Sequence, residues 1–360
     1  MLKRRNLLQL SLALGLSPAI RGSAAEAWRA PAEEHPHTAT WMCWPNDVSI
    51  YGEAAYFEDI QVHLGRLASA ISEFEPVFMA AHEKHFPTIR ALCGERVQPV
   101  AIPTNDMWMR DSGPVFVSNA SGDLAAVDFN FNGWGAKQEP RDEDGRVAAR
   151  VAEYLQIPRI ATELVGEGGG IEFDGDGTLL LTDSCWLNDN RNPGISKAEM
   201  TAELKRLLGV QKVIWLPGVA GEDITDGHID GSIRVVRPGL IMTSSYPGDD
   251  SEWGVAFEES RRILATETDA RGRPFTLVDI PSSTEPRNTS ERLFTSYANY
   301  YVGNGAVFTP KFHDKRADAD AVEGLSKLYP GRKVVALEVD RIYENGGGIH
   351  CVTQQQPATR

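Results

Sequence analysis

Residues Glu344 to Pro357 read ENGGGIHCVTQQQP, and Gly166 to Gly175, nearly half the chain earlier, read GEGGGIEFDG. Gly-Gly-Gly-Ile is written twice, followed once by His350-Cys351 and once by Glu172-Phe173. A short Gly-rich stretch that recurs at long separation suggests equivalent positions in a repeated architecture. Glycine there lets backbone approach a ligand closely.

Outward from these copies, helix-period segments alternate with short β-rich runs down the chain. Apolar spacing predicts helices over Glu53 to Phe74, Asp142 to Gln156, Ser196 to Leu208, Ser251 to Thr268 and Asp314 to Tyr329; Met200, Leu204 and Leu207-Leu208 show the period. Ser196 with Glu199 makes a capping-box start and Gly209 a stop. Runs rich in Val, Ile, Phe and Leu predict strands at Val77 to Ala81, Val97 to Pro103, Pro114 to Ser118, Leu124 to Phe131, Thr178 to Thr182 and Lys212 to Leu216. Further runs cover Ser232 to Val236 with Leu240 to Ser244, Thr276 to Ile280, Val302 to Pro310 and Lys333 to Val339. Five helices interleaved with two or three strands each suggest five related α/β units about a centre, although two packed α/β layers fit the same pattern.

The 360 residues carry 36 basic and 50 acidic side chains, a formal charge of −14, and no basic block after the N-terminus, which argues against a nucleic-acid partner. Such acidity suits a small cationic ligand. Nothing in the composition decides between a monomer and a homo-oligomer.

Residues 1–25 read differently. Lys3-Arg4-Arg5, a mildly apolar run from Leu7 to Leu16, then Pro18 and Gly22-Ser23-Ala24-Ala25 predict an export signal. The adjacent arginines and weak apolar run suit the twin-arginine export machinery and a periplasmic or exported product. The apolar run is too short to span a bilayer.

Cys43, Cys93, Cys185 and Cys351 have no CxxC spacing, and a chain of this length needs no disulfide staples, so each is expected as a free thiol. Ionisable residues concentrate in four Gly-bearing segments: WMRDSGP (Trp108 to Pro114), GEGGGIEFDG, TDGHIDG (Thr225 to Gly231) and NGGGIHC (Asn345 to Cys351). His228 with Asp230 is a fragment of a metal site, but no HxxxH or carboxylate triplet accompanies it, and neither a metal nor an organic cofactor is expected. One thiol, one imidazole and several carboxylates on such segments are the inventory of a Cys-His hydrolase with an acidic pocket. Asp111, Glu167 and Asp230 held together call for a cation, and a planar guanidinium pairs with carboxylates side-on. A periplasmic guanidine- or polyamine-binding protein explains the carboxylates but leaves His228 and Cys351 unused.

IPTNDMWMRDSGP, FNFNGWG, GEGGGIEFDGDGTLLLTDSCWLNDNRNP, TDGHIDGSIRV and NGGGIHCVTQQQP resemble, in order and spacing, the agmatine deiminase and bacterial peptidyl-arginine deiminase family. The resemblance runs from about Trp28 to Pro357. It implies the pentein fold, a five-bladed α/β propeller with pseudo-fivefold symmetry, as one catalytic domain over residues 26–360. By the same resemblance Cys351 is the nucleophile, His228 the acid/base, Glu167 its orienting partner, and Asp111 and Asp230 the carboxylates that hold the guanidinium. Trp108, Trp134, Gly346 and the segment around Glu172 are candidates for further substrate contacts. The implied reaction is hydrolytic deimination through an amidino-cysteine, on agmatine or an arginine-type substrate; amidino transfer is the alternative within the fold.

Overall fold

In the computed structural model, residues 27–246 and 248–359 are described; the predicted export signal over residues 1–25 lies outside them. Sixteen strands form five sheets, each built on one pattern. In the second blade, β4 (Val115–Ser118) runs antiparallel to β5 (Leu124–Asp128), and β6 (Arg159–Ala161) returns parallel to β5. The third repeats this with β7 (Ile171–Phe173), β8 (Thr178–Thr182) and β9 (Lys212–Leu216). The fourth uses β10 (Ile233–Arg237), β11 (Leu240–Thr243) and β12 (Thr276–Asp279), and the fifth β13 (Tyr301–Gly303), β14 (Ala306–Pro310) and β15 (Lys333–Leu337).

The first blade is made from both ends of the chain. β1 (His37–Cys43) pairs antiparallel with β16 (Gln354–Pro357) and parallel with β2 (Val77–Ala81), and β3 (Val97–Ala101) extends that sheet. Registers His37 to Pro357 and Trp41 to Gln354 close the ring.

In every blade a helix makes the crossover between the first two parallel strands: α1 (Ala54–Ile71), α3 (Val147–Leu155), α4 (Lys197–Leu208), α5 (Glu252–Thr266) and α6 (Lys315–Leu328). These are the five expected helices, trimmed at their ends. In α4 the Ser196 side chain accepts from Glu199 N, the Glu199 side chain answers the cap, and Gly209 ends the helix at φ 65°. Its buried stripe is Met200, Leu204, Leu207 and Leu208, and each fully buried leucine contributes roughly 1.5–3 kcal/mol. The middle strands β5, β8 and β14 are buried at every residue, as strands covered on both faces must be.

The structure adds to the sequence reading. A further helix, α2 (Phe86–Cys93), precedes β3, and β1, β6, β7 and β16 were not anticipated as strands. The Gly-Gly-Gly-Ile copies both lead into the first strand of a blade, but at different registers. Gly168–Gly170 form a 3-10 turn and Ile171 begins β7 directly, whereas a further turn, 349–352, separates Ile349 from the start of β16 at Gln354. Among the described residues, no helix is long and apolar enough to cross a membrane.

Candidate active site

Each blade's first strand is preceded by a tight turn or bend, and these five lead-ins carry the site. The helical turn Met109–Ser112 before β4 bears Asp111. Glu167 stands at the start of the 3-10 turn before β7, and His228 and Asp230 stand on the turn before β10. The bend before β13 carries Asn299, and the turn before β16 carries Cys351. The lead-ins are tied together directly: Arg110 N donates to Cys351 O at 3.0 Å, and Asn299 Nδ2 to Asp230 O at 3.4 Å.

His228 sits between two carboxylates. Nε2 lies 3.3 Å from Glu167 Oε2 and Nδ1 lies 3.7 Å from Asp111 Oδ1. Burial opposes a charge on the imidazole, but Asp111, Glu167 and the Cys185 sulfur outweigh it and hold its pKa well above the usual histidine value. The ring is therefore an imidazolium at neutral pH. Gly169 makes room for this contact, since a Cβ there would lie 2.6 Å from His228 Nδ1 and 2.8 Å from Asp111 Oδ1.

Glu167 is fully buried yet ionised. Burial pushes its pKa up, but His228 and Arg191 pull it below the ordinary carboxylate value. Arg191 Nε donates to Oε1 at 2.8 Å and Oε2 at 3.0 Å, Nη1 to Asp226 Oδ2 at 2.8 Å, and Nη2 to Thr225 O at 2.9 Å. Thr225 Oγ1 in turn accepts from His228 N. One guanidinium thus ties the acid to the loop that carries the imidazole.

The two other carboxylates differ in charge balance. Burial, with the neighbouring charges of Asp230 and Glu167, raises Asp111 to about 6, against the pull of His228 and of Trp134, whose Nε1 donates to Oδ2 at 2.9 Å. Asp230 is equally buried, but His350 Nδ1 donates to its Oδ2 at 2.7 Å, and with the charges of His350, His228 and Arg234 this brings it down to about 2. Both are acceptors at neutral pH, and both keep lone pairs free for a planar donor.

Cys351, 8% exposed, has its sulfur 3.4 Å from Asp230 Oδ2. Burial first, then Asp230 and Asp111, hold the thiol well above its ordinary pKa. One neutral donor works the other way. Asn299 Oδ1 accepts from His350 N at 3.0 Å and Cys351 N at 3.3 Å, which turns Nδ2 toward the sulfur at 3.2 Å.

The structure brings Cys351, His228, Glu167, Asp111 and Asp230 to one centre. Trp134 is buried, and its indole N–H is used to hold Asp111; it does so from a left-handed backbone at φ 53°, a conformation that costs a non-glycine residue about 1–3 kcal/mol. Trp108 is buried against Gly347, where a Cβ would meet its ring at 2.5 Å and Cys351 Cβ at 3.2 Å. Gly346 stands apart, exposed at φ 83°, and a Cβ there would meet nothing within 4 Å. Glu172 belongs to the propeller core, where it accepts from Arg234 Nε at 2.7 Å and Val235 N at 2.8 Å. Sequence reasoning missed Asn299 and Arg191. Asn299 lies in SYANY, Ser296 to Tyr300, which has no glycine to mark it; its place just before the first strand of a blade is the only signal.

Among the described residues, Glu167, Cys185 and His228 form one group whose ligand atoms lie within 4.8 Å of one another, and Glu33, Glu172 and His350 form another. Arg191 already pairs with Glu167, and Arg234 with both Glu33 and Glu172. A metal ion at either place would have to displace a buried guanidinium.

Five α/β blades around a converging thiol, imidazole and carboxylates define an enzyme of the pentein class, a hydrolase type that acts on guanidino groups. The chain belongs to the Porphyromonas-type peptidyl-arginine deiminase family, whose family model matches residues 29–357. It is 37% identical to the agmatine deiminase of Medicago truncatula, over 91% of this chain and 96% of that one. It is 36% identical to the agmatine deiminase of Pseudomonas aeruginosa, over 93% and 97%. The solved agmatine deiminase of Enterococcus faecalis superposes with a TM-score of 0.85 at 28% identity, covering 92% of this chain and 96% of that one.

Proposed function

We propose that this protein hydrolyses the terminal guanidine of agmatine, releasing ammonia and N-carbamoylputrescine through a covalent amidino-cysteine. The observation that carries the reading is the Cys351 sulfur beside ionised Asp230, with the His228–Glu167 pair and Asp111 on neighbouring lead-ins. A binding protein has no use for a buried thiol set against the carboxylates that would hold the cation. The relatives bearing the agmatine deiminase name, at 36–37% identity over nearly the whole chain, support agmatine over other guanidines.

The guanidinium lies between Asp111 and Asp230, whose charge-assisted hydrogen bonds fix its plane and localise its charge. Its charge offsets the carboxylates that oppose ionisation of Cys351, so cation binding expels the thiol proton to solvent. The thiolate forms the S–C bond. His228, oriented by Glu167, gives its proton to the departing nitrogen as the C–N bond breaks and ammonia leaves. Neutral His228 then takes a proton from water, the hydroxyl adds to the same carbon, and the S–C bond breaks as the remaining hydroxyl proton passes to the leaving sulfur, giving the ureido product and the free thiol. No step requires a metal.

The test is product release from agmatine, free arginine, and peptides with internal or C-terminal arginine, scored for ammonia and ureido product. Agmatine should turn over fastest. Absence of ammonia from all of them removes the deiminase reading. Ammonia released only when an amine acceptor is supplied would point instead to amidino transfer.

We also infer export by the twin-arginine machinery to the periplasm, supported by Lys3-Arg4-Arg5 and the small residues ending at Ala25, ahead of the family match at residue 29. Replacing Arg4 and Arg5 together by lysine should leave the protein in the cytoplasmic fraction; unchanged fractionation counts against export by this route.

A further inference from the structure

From Asp230 a chain of buried ionisable side chains runs through His350 and Glu33 to Arg234. Each nitrogen of His350 faces a carboxylate oxygen: Nδ1 lies 2.7 Å from Asp230 Oδ2, and Nε2 lies 2.8 Å from Glu33 Oε2. Glu33 comes from the segment ahead of β1, which is itself fastened by Arg29 pairing with Ser118 and by Ala30 N donating to Leu208 O. Glu33 Oε1 accepts from Val302 N at 2.9 Å, and Oε2 also accepts from Arg234 Nη2 at 2.8 Å. Arg234 is fixed by Glu172, Ala298 O and Tyr300 O. Every side chain in it is buried or nearly so.

We propose that His350 is a positioning residue for the guanidine reaction, clamped between Glu33 and Asp230 so that the Asp230 carboxylate is fixed through Oδ2, the oxygen that also meets Cys351. The proposal rests on the guanidine-hydrolase reading for what Asp230 holds; the clamp itself rests on the geometry alone. A hydrogen bond on Oδ2 restricts rotation of the carboxylate, and a cation behind it keeps it an acceptor in a dry site. The groups facing Asp230 are His350, Cys351, His228, Asp111 and Arg234; those facing Glu33 are His350, Arg234, Arg110 and the like-charged Glu172. With a carboxylate facing each ring nitrogen, a residue of the N-terminal segment reaches the reaction centre through one imidazole.

Two substitutions separate the ends of the clamp. An asparagine side chain places its amide near Nδ1 and can still donate to Asp230, whereas a glutamine places it near Nε2 and serves only Glu33. In the Cys351→Ser background, agmatine affinity measured by calorimetry should fall roughly tenfold to a hundredfold in His350→Gln and Glu33→Gln, the loss of one hydrogen bond to a charged group. His350→Asn should recover most of it. Circular dichroism screens out unfolded variants, and nitrogen-15 spectra of histidine-labelled parent protein should show two ring N–H signals from His350, reduced to one in Glu33→Gln. Folded His350→Gln and Glu33→Gln proteins with affinities within about twofold of the parent, or His350→Asn no better than His350→Gln, overturn the positioning role. A single ring N–H in the parent overturns the clamp. If the Cys351→Ser parent binds no guanidine, the functional reading falls, and the nitrogen-15 result alone decides the clamp.

Discussion

Asn299 Nδ2 donates to Cys351 Sγ at 3.2 Å, and it is held in that orientation because its carbonyl oxygen accepts the backbone N–H groups of His350 and Cys351. It offsets the two carboxylates that oppose the thiolate. Asn299→Ala should lower kcat about 10–100-fold, the worth of a hydrogen bond to a charged group, and shift the alkylation profile of Cys351 to higher pH. Alkylation rates across pH on the free protein check this; an unmoved profile assigns Asn299 to backbone support only.

The fivefold arrangement makes Asn299 findable after the fact and explains why it was hidden. Cys351, His228, Glu167, Asp111 and Asp230 were legible because their lead-ins carry glycine beside ionisable residues, a local signal. Helices α1, α3, α4, α5 and α6 were legible for a similar reason, since caps and apolar spacing are local. Strands β6 and β7, at three residues each, are too short to show a period. β16 reads QQQP, polar yet wholly buried: Gln356 accepts from Trp41 Nε1, Gln355 from Arg110 Nη1, and Gln354 donates to Pro114 O. Those partners lie 240 to 315 residues away, and no window of sequence contains them.

Asp111 sets the acid limb of activity. Its pKa is raised to about 6, so it takes up a proton and stops holding a guanidinium as pH falls through about 6, whereas Asp230 stays ionised down to about 2. The kcat/KM profile should therefore fall below about pH 6. Trp134→Phe removes a donor that stabilises the ionised form, so the limb should move to higher pH. A shift to lower pH, or none, contradicts the assignment.

The cation should help to make the nucleophile. Because Asp230 and Asp111 raise the thiol pKa in the empty site, guanidinium ion or a small unreactive analogue that leaves the sulfur open should speed alkylation of Cys351 at neutral pH. Slower or unchanged labelling, with access shown by a neutral reagent, argues against substrate-assisted ionisation.

Gly169→Ala places a methyl group 2.6 Å from His228 Nδ1 and 2.8 Å from Asp111 Oδ1. Displacing two groups by a fraction of an ångström should cost roughly 100-fold or more in kcat/KM with a native circular dichroism spectrum. Near-normal kinetics would show that the His228–Asp111 approach is dispensable.

Arg191 has no accessible side-chain surface and neutralises both Glu167 and Asp226. Arg191→Ala leaves Glu167 with His228 alone and Asp226 with Lys137, and urea denaturation should show a loss of about 3 kcal/mol. Arg191→Lys, with one compact charge for a fork, should restore part of the stability but less of the activity, because Glu167 loses its paired contact. Full recovery of kcat by lysine would show that charge alone suffices.

The pairing of β1 with β16 sets the order in which the enzyme comes to life. Ribosomal synthesis delivers β1 first and β16 last, and the turn bearing Cys351 is anchored just ahead of β16. Until the two ends of the chain meet, Cys351 is not held beside the carboxylates it needs, so the strand pairing that closes the ring also completes the site.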